Sequence, residues 1–224
     1  MNEPVLLFCR QWALTAALAA LLSPAYAVPV IPVYERALLV SLLELYRNSP
    51  LILGVSPHEH VTDLYRLQPL LSGRAVMFVA PRFYWTDHSL GVFLGLSGPR
   101  FCTPGRLWEP STRRAEAEQF RRLSAETHAA GYDGEVTPCL PGLTDEQIVA
   151  QVNEWLHRRM EEAGISREEI MTLLLLSGLR KGRMPVSALS QYKIRGLCRL
   201  GMDRHVINLY RGIIIRPELQ VVLS

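Results

Sequence analysis

The feature that most constrains this chain is a pair of short apolar runs, "LILGVS" (Leu51–Ser56) and "RAVMFVA" (Arg74–Ala80), with a segment of helical apolar spacing between them. Strands that are apolar on both faces are buried on both faces, which happens in parallel sheets covered by helices. Parallel neighbours need a crossover connection, and a helix supplies it. The same alternation runs through the first half of the chain. Val5–Phe8 is a short apolar strand, and Gln11 to Leu22 is a helix ended by Ser23-Pro24. "AVPVIPV" (Ala27–Val33) is β-branched, and its two prolines place it at a sheet edge. Tyr34–Asn48 places Leu38, Leu39, Leu42, Leu43 and Tyr46 at helical spacing. Val61–Leu71 and Trp85–Leu96 read as helices, and Arg100–Thr103 as a last short strand. The pattern predicts an α/β domain with a doubly wound parallel sheet over residues 1–130.

A different composition follows. Ser111–Ala130 carries "RRAEAEQFRR", a mostly solvated charged helix, and "GYDGEVTPCLPG" (131–142) gathers glycine and proline as a linker expects. Residues 143–224 then read as an all-α domain. Thr144 with Gln147, and Ser166 with Glu169, fit the capping box, predicting helices over Asp145–Ala163 and Arg167–Ser177. "GLRKGRMP" is a basic loop, followed by a helix from Val186 or Ser190 to Leu200. Asp203 is the expected N-cap of a final helix, Arg204–Ile214. A chain of 224 residues with 49% apolar content can bury two such cores.

Charge is distributed unevenly. Between Arg180 and Arg216 nine Lys and Arg face one acid, Asp203, a local +8 in a chain whose total is +3. A neutral-to-acidic body with a concentrated basic segment suits a polyanionic partner met by that segment alone. On the final helix Val206, Ile207, Tyr210 and Ile214 are expected on one side, and Arg204, His205, Asn208 and Arg211 on the other. Arginine reads guanine edges and asparagine reads adenine edges, while Arg180, Lys181, Arg183, Lys193 and Arg195 are suited to phosphates and flanking contacts.

Two resemblances join these halves. "VLLFCRQWALTAALAALLSP", "SPLILGVSP", "AVMFVAP" and "GLSGPRFCTPGR" resemble, in order, the strand-end segments of a response-regulator receiver domain, a flavodoxin-like fold. The resemblance places Cys9 and Arg10 at the acid-pair positions and Val55 or Ser56 at the nucleophile position. It places Val79 or Ala80 at the hydroxyl position and Pro104 near the lysine position. Phosphoryl transfer needs carboxylates for Mg²⁺ and an aspartate nucleophile. The resemblance therefore implies a pseudo-receiver that does not take phosphate. "LGMDRHVINLYRGII" resembles the recognition segment of LuxR-type helix-turn-helix regulators. Asp203 stands for the capping serine, Val206-Ile207 for Thr-Val and Tyr210 for histidine, with Arg211 kept. "ISREEIMTLLLLSG" is similar to the opening helix of that family. About ten more residues separate Ile165 from Ile207 than the compact family domain has, and an enlarged loop at "LRKGRMPVSALSQ" accommodates them. The resemblance implies a transcription regulator that binds double-stranded DNA independently of phosphorylation. It would act as a homodimer or as a heterodimer with another LuxR-type regulator.

Other readings stand beside this one. "WALTAALAALLSPAYA" before Val28 has the form of a signal peptide's apolar region and cleavage box, which predicts an exported protein lacking residues 1–27. Glu3 and the apolar "PVLLF" occupy the place of its cationic start. A non-DNA-binding adaptor of the same fold is a further alternative. "GVSPH" has part of a nucleophile elbow, with Ser56 as nucleophile and His88 as base, but lacks the final glycine. His58-Glu59-His60 reads as a solvated loop rather than a metal site. Scattered Cys9, Cys102, Cys139 and Cys198 suit a reducing cytoplasm, and no catalysis, cofactor or metal is expected.

Overall fold

The computed structural model describes residues 3–130, 142–178 and 185–223. Five parallel strands, β1 (Val5–Cys9), β2 (Val30–Val33), β3 (Leu51–Gly54), β4 (Val76–Val79) and β5 (Arg100–Cys102), form one sheet in the order β2-β1-β3-β4-β5. This is the flavodoxin-like order of doubly wound sheets. β1 pairs on both sides, Leu6 with Ile31 and with Leu51, and its residues are almost fully enclosed. The proline-bearing strand is indeed the edge, with Pro32 opposite Leu7.

The pleat of β1 sorts its side chains between two layers. Leu6 and Phe8 join Leu39, Leu43, Leu64 and Phe93 from helices α2 (Arg36–Leu45), α3 (Val61–Leu71) and α4 (Trp85–Phe93). Val5, Leu7 and Cys9 join Leu18, Leu22, Leu107 and Phe120 from α1 (Trp12–Leu22), α5 (Pro104–Trp108) and α6 (Pro110–Ala130). β1 and β3 approach closely because Gly54 has no side chain, since a Cβ there would stand 2.1 Å from Cys9 Sγ. The α2 carboxyl end is closed by a buried guanidinium, as Arg74 donates to the carbonyls of Leu43, Tyr46, Ser49 and Leu70. Burial pushes its pKa down to about 10. Charged α6 is less solvated than its composition suggests, because Glu116 is buried between Arg100 and Arg106.

The C-terminal part is helical: α7 (Asp145–Glu162), α8 (Arg167–Ser177), α9 (Val186–Arg199) and α10 (Val206–Gly212). Both capping boxes form, Thr144 with Gln147 and Ser166 with Glu169. α9 begins at Val186, so the second half of "LRKGRMPVSALSQ" is helix rather than an enlarged loop. α8 and α9 pack through Gly196, where an added Cβ would lie 2.8 Å from Leu173 Cδ1. Met160, Ile165, Ile170, Leu173, Leu197, Leu209 and Ile213 form the core of this part. α7 serves both layers, since its Ile148, Val149, Val152 and Leu156 belong to the core shared with α3 and α4. The expected linker, 131–142, lies outside the described residues except for Gly142.

The last residues return to the sheet domain. Val221 N donates to Glu59 O at 2.7 Å, and Leu223 N to the buried Asp63 carboxylate at 2.7 Å. Gln220 accepts from Val61 N and donates to His58 O. Leu223 is fully enclosed within the α2–α4 layer. No helix among the described residues is long and apolar enough to cross a membrane.

Two predictions test this arrangement. A chain starting at Val28 lacks the interior strand β1, which joins β2 to β3, and α1, and circular dichroism is expected to show no cooperative unfolding. Leu223→Ala is expected to lower the unfolding free energy by about 2–5 kcal/mol, the usual cost of emptying a closed leucine site, read as a lower urea midpoint.

Candidate nucleic-acid interface

The basic segment divides into cations held internally and cations left free. Arg199 donates to Glu169 Oε2 at 2.7 Å and to Gly164 O at 2.6 Å. Arg216 lies 4.0 Å over the Tyr210 ring, donates to Tyr210 O at 2.8 Å and approaches Glu218. Arg211 pairs with Glu59 of the sheet domain. Arg195 and Arg204 are exposed, and Lys193 is half-buried. Arg180, Lys181 and Arg183 lie outside the described residues.

The final helix is shorter than expected and turned differently. It starts at Val206, and its N-cap is His205, whose Nδ1 accepts from Ile207 N at 3.3 Å. Asp203 instead accepts from His205 N at 2.9 Å and from the Asn208 amide. Asn208 is buried, as are Leu209, Gly212 and Ile213. The cause is Gly212. A Cβ there would lie 2.5 Å from Met202 Cε and 3.3 Å from Tyr84 Cβ, so α10 approaches α4 through its glycine. Thr86 Oγ1 donates to Arg211 O at 3.2 Å in the same contact. Arg204 and His205 therefore face solvent, while Asn208 and Arg211 face the protein.

The open polar surface is on α9. Its buried side carries Gly196 and Leu197, and its exposed side carries Ser187, Ser190, Gln191 and Arg195. Residues 186–199 contain Lys193, Arg195 and Arg199 and no acid. Ser187, Gln191 and Arg195 are spaced four apart, which aligns them along one stripe of a helix. Hydroxyl, carboxamide and guanidinium groups are the donors and acceptors that base edges require. The resemblance to the LuxR-type segment points instead to the helix after it. The four-residue spacing was itself the available signal.

The junction between sheet domain and helices is polar and closed. His58 and His60 are only 4% and 5% exposed, so the segment read as a solvated loop is interior. His58 Nδ1 donates to Asp87 Oδ1 at 2.9 Å, the carboxylate being able only to accept. Asp87 also accepts from the backbone of His58 and Tyr84. His60 Nδ1 donates to Val221 O at 2.6 Å. His88, considered as a base for Ser56, instead sets its ring 4.3 Å from that of Phe101 and shares no hydrogen bond with Ser56 among the described residues.

No family model matches the chain, and no curated protein matches it. Among solved structures, full-length FixJ from B. japonicum is similar over 94% of this chain and 95% of its own, at 12% identity and a TM-score of 0.43. The RcsB response regulator of Salmonella typhimurium is similar over 93% of this chain and 96% of its own, at 15% identity and a TM-score of 0.40. At this level of likeness the fold class rests on the strand order alone: a receiver-like parallel sheet followed by a helical C-terminal part.

The junction predicts a pH dependence. Burial holds the His60 imidazole below its ordinary 6.5. The unfolded chain then binds more protons at this site between the folded value and 6.5. Its stabilising contribution is complete above about 6.5 and is lost as pH falls through the folded value. His60→Asn, whose amide can still meet Val221 O, is expected to flatten the loss of stability between about pH 7 and pH 5, followed by thermal unfolding. His88, also held low by burial, keeps a smaller slope in that variant.

Proposed function

We propose that this chain is a DNA-binding transcription regulator, cytoplasmic and independent of phosphorylation, in which α9 lies in the major groove. One observation carries the reading: α9 presents an unpacked, acid-free face bearing Ser187, Gln191 and Arg195, inside the segment where the chain's positive charge is gathered. Arg195 is suited to a guanine edge and Gln191 to an adenine edge, with Lys193 directed to the backbone. Arg204 and His205 extend the basic surface past the end of α9. Arg180, Lys181 and Arg183, in the segment preceding α9, are assigned to phosphates. Asn208 and Arg211 are withdrawn from base contact, Asn208 tying the start of α10 to Asp203 and Arg211 holding α10 to the sheet domain through Glu59.

Cys9, Arg10, Val55, Ser56, Val79, Ala80 and Pro104 stand at or just beyond the strand ends where a receiver carries its phosphorylation chemistry. None of these side chains supplies a carboxylate, and this supports independence from phosphate. A single helix spans too few base pairs for a specific site, so two copies, or one copy with a related regulator, are inferred on half-sites about one helical turn apart.

Fluorescence anisotropy on random-sequence duplex DNA at two salt concentrations tests the reading. Binding is expected to weaken steeply with salt, and Lys193→Ala is expected to lower the salt slope by about 1. On a selected site, Gln191→Ala and Arg195→Ala are each expected to cost about 1–3 kcal/mol. Equal binding by the parent and a variant combining Gln191→Ala, Lys193→Ala and Arg195→Ala would favour the adaptor.

A further inference from the structure

A cleft of about 470 Å³ opens between the loop after β4 and the turn joining α9 to α10. That volume is within the usual range of small-molecule sites, about 300–1,000 Å³, and domain junctions are their frequent location. It also lies beyond the carboxyl end of β4.

The lining is chemically divided. Phe83, Trp85 and His88 supply three rings on the sheet-domain side. The rings are supported from behind by Phe101, 5.1 Å from Phe83 and 4.3 Å from His88 between centroids. Arg82 is exposed at the same wall, hydrogen-bonded to Tyr84, and forms no ion pair among the described residues. The opposite wall is Leu200, Gly201, Met202, Asp203 and Asn208. Asp203 uses Oδ1 for His205 N and the Asn208 amide, and Oδ2 has no hydrogen bond among the described residues. Gly201, at φ 66°, has a conformation that favours glycine and places no side chain in the space.

A guanidinium without an acid, a carboxylate oxygen without a donor, and a set of rings lining one cleft define a complementary ligand. We propose that this cleft binds a small aromatic zwitterion of the aromatic amino-acid class. Its ring stacks among Phe83, Trp85 and His88, its carboxylate meets Arg82, and its ammonium meets Asp203. One wall belongs to each part of the chain, and Leu200 and Gly201 directly follow α9. The bound molecule therefore bridges the sheet domain to the end of α9 and favours the present orientation of that helix. The binding does not depend on α9 reading DNA.

Isothermal titration of the full chain with L-tryptophan, L-tyrosine and L-phenylalanine tests the proposal without DNA. Saturable binding of at least one is expected. For tryptophan as ligand, tryptamine and indole-3-propionate, which lack the carboxylate and the ammonium respectively, are expected to bind at least about tenfold more weakly. Arg82→Ala is expected to lower affinity for the amino acid by about tenfold and leave its decarboxylated analogue unaffected. Asp203→Asn is expected to lower affinity for the amino acid by about tenfold and leave its deaminated analogue unaffected, with circular dichroism checking that α10 persists. Arg82, being exposed, keeps the test open if Asp203→Asn unfolds. No saturable heat with any of the three amino acids at millimolar concentration overturns the proposal. Affinity unchanged in Arg82→Ala overturns it equally.

Discussion

The contact on which the two parts of this molecule depend is the return of its last residues to the sheet domain. Backbone groups of Val221 and Leu223 bond to Glu59 and Asp63, and Leu223 fills a closed site in the α2–α4 layer. Buried backbone groups need partners, and here each half of the chain supplies those of the other. Arg211 with Glu59, and Thr86 with the Arg211 carbonyl, extend the same junction to α10. α9 is carried on this fixed base with its polar side outward.

The sequence made the sheet domain legible because its signals are local. Uninterrupted apolar runs marked β3 and β4, two prolines marked the edge strand, and Val61–Leu71 and Arg167–Ser177 match their observed helices residue for residue. The capping residues Thr144 and Ser166 were equally readable, since each bonds within three positions of itself. What escaped was non-local. His58 and His60 look solvated until residues about 160 positions later, Gln220 and Val221, close over them. Gln220–Leu223 has no pattern of its own, yet it completes a core begun at Leu6.

The interface shows the same division. Arg195 and Lys193 were legible as basic residues near a reading helix, and both stand on α9. The helical wheel of α10 put Asn208 outward by counting apolar side chains. Gly212, the smallest residue, instead marks the side that packs, its missing Cβ leaving room for Met202 and Tyr84. Arg211 kept its charge but spends it on Glu59. A count of positive charges overstates what remains for a partner, and a map of their acids corrects it.

The course of the chain also bears on how it is made. Protein synthesis delivers the amino end first, and domains ordinarily fold as they leave the ribosome. Here the first domain emerges with an unfilled leucine site, a His60 ring lacking its Val221 carbonyl, and an Asp63 carboxylate paired with Arg36 alone. It can reach its final state only once residue 223 has cleared the exit tunnel, so its maturation waits on the whole helical part that lies between.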